Sequence, residues 1–338
     1  YLGNPVAVVL DGTGLSDASM QSFARWTQLS ETTFVLPPSP EAKAQGADYK
    51  LRIFTPGGEL PFAGHPTLGS ASAWLKAGGQ AQQAGVLVQE CGVGLVRLEM
   101  REGRWAFAAP PVQMRSMQEA TPATLPALLK ALGLQTNQVM DSQILNNGPE
   151  WWAFLLDDVE TVRNLAPDHL ALKQLGVKVG VAAKTEQKNI SSPLLISRSN
   201  RESRAFAGKS LRNAAAAATA KPDAQLEVRA FAAAIGITED PVTGSLNASL
   251  SQWLIGSGEM PTDYVASQGS ALGREGRVHI QQDTQGQVWV GGDTVIGKGS
   301  VVAGGVFLTR IGDAAAGWPF HVCNAVDHIV TFSRGHRL

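Results

Sequence analysis

The chain has 338 residues, 44% hydrophobic and 17% charged, which at roughly 150 residues per domain predicts two globular domains and excludes disorder or a fibre. A net charge of -1 lacks the basic footprint of a general nucleic-acid binder or a polybasic membrane binder, and no apolar run reaches the roughly 18 residues of a membrane span. Two cysteines, Cys91 and Cys323, are too few for a disulfide framework or a Cys-rich zinc site, so a reduced, cytoplasmic protein is expected.

The chain opens in a turn, Tyr1-Leu-Gly-Asn-Pro, ahead of a strand over 6–10, and an earlier element is expected to be missing. A helix follows Ser16, with Met20, Phe23, Ala24 and Leu29 spaced along one apolar face. Strands over 32–36 and 49–54 flank a solvated connection at 41–47, and a Gly/Pro stretch leads to a helix over 66–75. From Trp151 the order recurs: a strand over 152–156, a helix over 167–175, strands over 177–182 and 194–197, an Ala-rich loop at 213–221, a strand over 226–231 and a helix over 241–254. Arg52-Ile-Phe and Arg229-Ala-Phe each end a strand shortly before His65-Pro-Thr-Leu-Gly-Ser70 and Asp240-Pro-Val-Thr-Gly-Ser245, two copies of X-Pro-x-x-Gly-Ser that run into small-residue helices ending in Trp-Leu. This reads as a duplicated unit with a cleft between its halves.

Proline after His65 and Asp240 suits the first helical position, which places each preceding residue at or near an N-cap. Gly69, Ser70, Gly244 and Ser245 then fall in the first turn or the loop before it, where free N–H groups and the helix dipole suit a carboxylate. Taken alone, Asp240 before Pro241 is an ordinary capping pair. His65 is a poor cap, and beside Gly64 a proton-transfer role stands open next to a structural one. Glu31, where the chain enters its second strand, is either a solvated strand end or, if turned into the cleft, a glutamate raised toward the working pH of a general base.

Other motifs fail their own tests. Gly292-x-x-x-x-Gly297-Lys298 has Gly299 at the Ser/Thr position and a strand-like sequence after it, and Gly208-Lys209-Ser210 lacks the leading glycine. Gly92-Val-Gly94 lacks the third glycine of a dinucleotide loop. His321-x-Cys323 with His328 is a metal-like cluster without supporting ligands, so no metal is expected.

Three stretches, Gly3-Asn-Pro-Val-Ala-Val-Val-Leu10, Leu29-Ser-Glu-Thr-Thr-Phe34, and Phe54-Thr-Pro with Leu60-Pro-Phe-Ala-Gly-His-Pro-Thr-Leu-Gly69, resemble the phenazine-biosynthesis PhzF family. Glu239-Asp-Pro-Val-Thr-Gly-Ser-Leu-Asn247, Gln268-Gly with Gly273-Arg, and Val288-Trp-Val-Gly-Gly-Asp293 extend the resemblance over residues 3–295. It implies an α+β, diaminopimelate-epimerase-like fold: two similar domains, each a curved, mostly antiparallel sheet round a central helix, with the active site between them. The expected domains are 1–118 and 119–298, a final strand of the second being free to return to the first, with an unplaced tail at 299–338. The missing opening strand would leave an edge of the first sheet unpaired unless another strand fills it.

The resemblance further implies a cofactor-free homodimer acting on a small carboxylated metabolite, with no nucleic-acid or membrane partner. The implied reaction is the isomerisation of trans-2,3-dihydro-3-hydroxyanthranilate or a like acid, in which Glu31 takes a proton from one carbon and returns it to another. His65 and Asp240 would join Glu31 as catalytic groups by orienting polar substituents, and Ser30, Gly64, Gly244 and Ser245 would bind the substrate. Related epimerases carry a cysteine in each half; these loops carry none, which sets two-thiol racemisation aside. A two-base epimerase using Glu31 and Asp240, and a non-catalytic small-acid-binding protein of the same fold, are the alternatives.

Overall fold

The computed structural model describes residues 2–120, 122–185 and 224–296, together with the backbone of 320–321, 323–325 and 329–332. The expected strand at 194–197, the Ala-rich loop, Gly208-Lys209-Ser210, the Gly297-Lys298 end of the phosphate-like loop and the side chains of the His321, Cys323 and His328 cluster lie outside the described residues.

Two helices, Gly64–Lys76 and Gly244–Gly256, organise the molecule. Both are built from Gly, Ala, Ser and Leu with scarcely a polar face, and almost every residue of their first two turns is buried. A helix apolar all round must be enclosed, and small side chains let the enclosing strands approach. The first packs on strands Asn4–Val9, Glu31–Leu36, Arg104–Ala108 and Thr294–Ile296; the second packs on Val139–Asn146, Gly276–Gln282 and Val288–Gly291; and the helices touch one another.

A single sheet threads both halves. It runs from Glu31–Leu36 through Tyr49–Thr55, Val86–Cys91 and Gly94–Arg101 to Arg104–Ala108, and crosses there to Val288–Gly291. The crossing is an antiparallel pair with Trp289 opposite Ala108 and Gly291 opposite Ala106. It continues through Gly276–Gln282, Asp263–Gln268, Leu226–Ala232, Val179–Lys184 and Glu150–Leu156 to Val139–Asn146 and Gln113–Ser116. Most neighbours are antiparallel, and helices are set against the sheet instead of alternating with parallel strands, so the class is α+β. The meander over residues 86–108 went unread in the sequence. Gly92 and Val93 are the two-residue turn of its first hairpin, with Cys91 opposite Gly94, which explains that glycine pair without a nucleotide.

The first strand is not a free edge. Residues Val6 to Val9 lie parallel to Ile329–Phe332, and Asn4 to Val6 pair antiparallel with Cys323–Ala325, which also pairs with Thr294–Ile296.

The internal repeat holds, but in another register. The helices begin at Gly64 and Gly244, after the caps Ala63 and Thr243. His65 is therefore the second helical residue and Pro66 the third, whereas Asp240 ends the strand Ile237–Asp240 and Pro241 precedes the helix altogether. Neither His65 nor Asp240 is an N-cap. Gly69 and Ser70 lie in the second turn, where the Ser70 hydroxyl meets Thr33 Oγ1 at 2.8 Å in the core. The first four N–H groups of any helix lack an internal acceptor, so proline is tolerated throughout the first turn and marks no single position in it.

Candidate active site

The two helix N-termini meet backbone to backbone. A methyl built on Gly64 would stand 2.6 Å from Gly244 Cα and 2.8 Å from the Phe107 ring, and one on Gly244 would stand 2.5 Å from Gly64 Cα. No side chain fits at either position. Gly64→Ala is expected to force the helices apart, costing about 1–3 kcal/mol as overpacked cores do and weakening small-acid binding. Thermal melts and a carboxylate titration check this; an unchanged melt and affinity would show that the contact does not hold the site.

Among the described residues, neither helix is capped by the side chain of its N-cap residue, Ala63 or Thr243. Thr243, the residue placed to cap the second helix, turns its hydroxyl to Asp240 Oδ2 at 2.5 Å instead. Uncapped N–H groups and two converging dipole ends leave a place for an anion.

Glu31 opens its strand beside these helix ends and is buried. Its Oε2 lies 3.2 Å from His65 Nε2, without the alignment of a hydrogen bond, and neither atom has another hydrogen-bond partner among the described residues. Burial first, and then the charge of Asp240, holds the Glu31 carboxyl well above its ordinary range, with Lys178 pulling the other way. Burial lowers His65 to about 3 against a hydrogen bond to the Pro5 backbone, so the ring is neutral at physiological pH. Two buried polar atoms face each other with unused hydrogen-bonding capacity, an expensive arrangement in a dry interior.

Asp240 is saturated by comparison. Asn4 Nδ2 donates to its Oδ1 at 2.6 Å and to the Val242 carbonyl at 2.9 Å, while Thr243 occupies Oδ2. An amide nitrogen has two hydrogens, so the 3.3 Å approach of Asn4 Nδ2 to His65 Nδ1 is left as a contact. Ser30 Oγ donates to Asn4 Oδ1 at 3.3 Å. Burial pushes Asp240 up to about 6, and the bonds from Thr243 and Asn4 oppose it.

The structure thus brings Glu31, Ser30, Gly64, His65, Asp240, Gly244 and Ser245 together. Sequence reasoning passed over four neighbours. Asn4 ties the first strand to the second half, although it reads as a turn residue before Pro5. Trp151 donates its indole N–H to Ser245 Oγ at 3.2 Å, and Asn147 donates to the Ser245 carbonyl at 3.0 Å. Lys178 lines the same cleft. Only a fold could have placed them there.

The cleft is narrow, with about 30 Å³ of free space, and Leu60, Phe62, Trp151, Ile235 and Ile237 form its apolar wall. A wider groove runs past Leu95, Pro110 and Trp289. Its carboxylates, Glu99 and Asp283, are already set against Arg97 and Arg101, so its size carries no chemistry comparable to the Glu31 and His65 pair.

Among known proteins, a family model described as "Phenazine biosynthesis-like protein" matches residues 1–299. The Schizosaccharomyces pombe protein called antisense-enhancing sequence 1 is 32% identical over 86% of this chain and 90% of its own. The trans-2,3-dihydro-3-hydroxyanthranilate isomerase of Pseudomonas aeruginosa is 41% identical over 50% of this chain and 58% of its own. A Bacillus anthracis crystal structure from the PhzF family superposes with a TM-score of 0.62 at 19% identity, covering 86% of this chain and 89% of the other. A predicted epimerase from Pseudomonas aeruginosa gives 0.60 at 24% identity over 86% and 90%.

Proposed function

We propose that this chain, which belongs to the phenazine-biosynthesis-like family, is a cofactor-independent isomerase that moves a proton between carbons of a small carboxylated substrate through Glu31. The observation that carries this reading is the buried, unpartnered pair of Glu31 Oε2 and His65 Nε2, set in a cleft where two uncapped helix N-termini converge. A trans-2,3-dihydro-3-hydroxyanthranilate isomerase stands among the relatives.

The chemistry follows from the surroundings. The N–H groups at Gly64, Gly244 and Ser245 receive the substrate carboxylate and hold the reacting carbons against Glu31. A general base that must also return its proton works best with its pKa near the operating pH, and burial moves Glu31 in that direction. Neutral His65 steers the Oε2 oxygen, while the apolar wall keeps water from quenching the carbanion-like intermediate. Both oxygens of Asp240 are engaged by donors, which suits an orienting role and speaks for one base over two.

Proton NMR in D₂O with trans-2,3-dihydro-3-hydroxyanthranilate tests the reading. Loss of the substrate signals in favour of a rearranged product is the expected result. Binding without exchange of any carbon-bound hydrogen would replace it with the non-catalytic reading, and inversion with exchange at a single carbon would replace it with the two-base epimerase. A homodimer is part of the same proposal, on the family resemblance, and light scattering after gel filtration checks it.

A further inference from the structure

We infer that Lys178 is the specificity-determining cation of the cleft, holding an anionic group of the substrate against the wall supplied by the second half of the chain. The inference rests on reading the cleft as a small-acid site.

Of the residues that line the cleft, Lys178 is the one lysine or arginine. Its backbone is fixed just ahead of the strand Val179–Lys184, where its carbonyl accepts from the Trp152 N–H at 2.8 Å. Its Nζ lies 5.2 Å from the centre of the Trp151 ring, and among the described residues no carboxylate pairs with it. The indole is itself anchored, since its N–H bonds Ser245 at the second helix N-terminus. One aromatic ring therefore holds the ammonium by its face and the anion-binding helix end by its edge.

Electrostatics give the lysine a task. Asp240 places a negative charge in the cleft, and Glu31 adds a second whenever it ionises, so an incoming carboxylate meets repulsion that two helix dipoles of about half a charge each only partly offset. A half-buried ammonium with no paired carboxylate among the described residues is itself unfavourable. Burial lowers Lys178 to about 8, with Glu150 and then Glu31 opposing, which leaves it charged at neutral pH. A substrate anion resolves both problems at once. The bland alternative is a surface lysine laying its stem on an indole, for which charge would be immaterial.

Anthranilate and its neutral isostere anthranilamide separate the two by isothermal titration against the wild type, Lys178→Met, Lys178→Gln and Lys178→Arg. Lys178→Met retains the stem and removes the charge. The expected result is a roughly 10- to 100-fold loss of anthranilate affinity in the Met and Gln variants, the size of one charge-assisted contact. Anthranilamide should bind them as it binds the wild type, which also shows the variants folded, and arginine should restore most of the loss. Unchanged anthranilate affinity in both uncharged variants would overturn the role of Lys178 alone. A wild type that binds neither ligand, or binds both equally, would overturn the small-acid reading and the inference with it.

Discussion

Glu31→Gln is expected to lower turnover by roughly 10³-fold or more, the upper range of what one positioned acid–base group supplies, while making the protein more stable at neutral and alkaline pH. The two effects share a cause. In the folded chain burial raises the Glu31 pKa well above its ordinary 4.5, so protonation favours the folded state. That contribution is fully present below about 4.5, the value in the unfolded chain, and is lost as the pH climbs through the higher folded value. Glutamine is neutral throughout and avoids the loss. The difference in Tm between variant and wild type should therefore widen from pH 5 to pH 8, with the variant the more stable. Wild-type turnover in the variant would remove Glu31 from the mechanism. Lost turnover with a lower Tm at every pH would point to misfolding, and would leave the proton shuttle to be tested by solvent exchange in the wild type. A site that gains stability when its base is neutralised is one where the fold sustains strain for function.

How far the site was readable in the sequence depends on which property is asked of each residue. The duplicated helices were legible because small-residue helices following glycine leave a strong local signal. Their first residues were not, since the copies of X-Pro-x-x-Gly-Ser align His65 with Asp240 while the helices align Gly64 with Gly244. Local spacing left Glu31 open between a solvated strand end and a buried base. The choice is made by Asn4, His65 and Asp240, which come from three distant segments and close around it. Lys178 had no signal at all, for a lysine at the start of the strand expected over 177–182 reads as solvated. Its position depends on which face Trp151 presents, and that is fixed by the bond from its indole to Ser245. Residues whose role is to meet across the cleft are invisible until both halves are placed.

Arg229→Met is expected to cost about 3–5 kcal/mol in urea unfolding, the range for breaking a buried ion pair from one side, whereas Arg52→Met should cost no more than about 1 kcal/mol. The comparison is sharp because the two arginines are the same device in the two halves. Arg52 grips Glu59 with two bonds, at 2.7 and 2.6 Å, and Arg229 grips Glu239 likewise, at 2.9 and 2.8 Å. Each guanidinium also lies 5.0 Å from the centre of the phenylalanine ring two residues on, Phe54 or Phe231. Surroundings make the difference: the Arg52 side chain and its partners Glu59 and Asp17 reach solvent, while Arg229 and Glu239 are 5% and 7% exposed. Arg229 Nη1 further donates to the carbonyls of Val162, Arg163 and Leu165, at 3.1, 3.3 and 2.7 Å, closing the end of the helix Val159–Asn164. Its removal strands a buried carboxylate and three carbonyls together, and lysine, without the planar fork, should recover little. Glu239→Gln should cost less, because Arg229 keeps the three carbonyls. The injury should also reach the cleft, since Glu239 adjoins Asp240 and its charge already raises the Asp240 pKa. An unpaired Glu239 would raise it further. Equal losses at Arg52 and Arg229 would mean that burial is not what sets them apart.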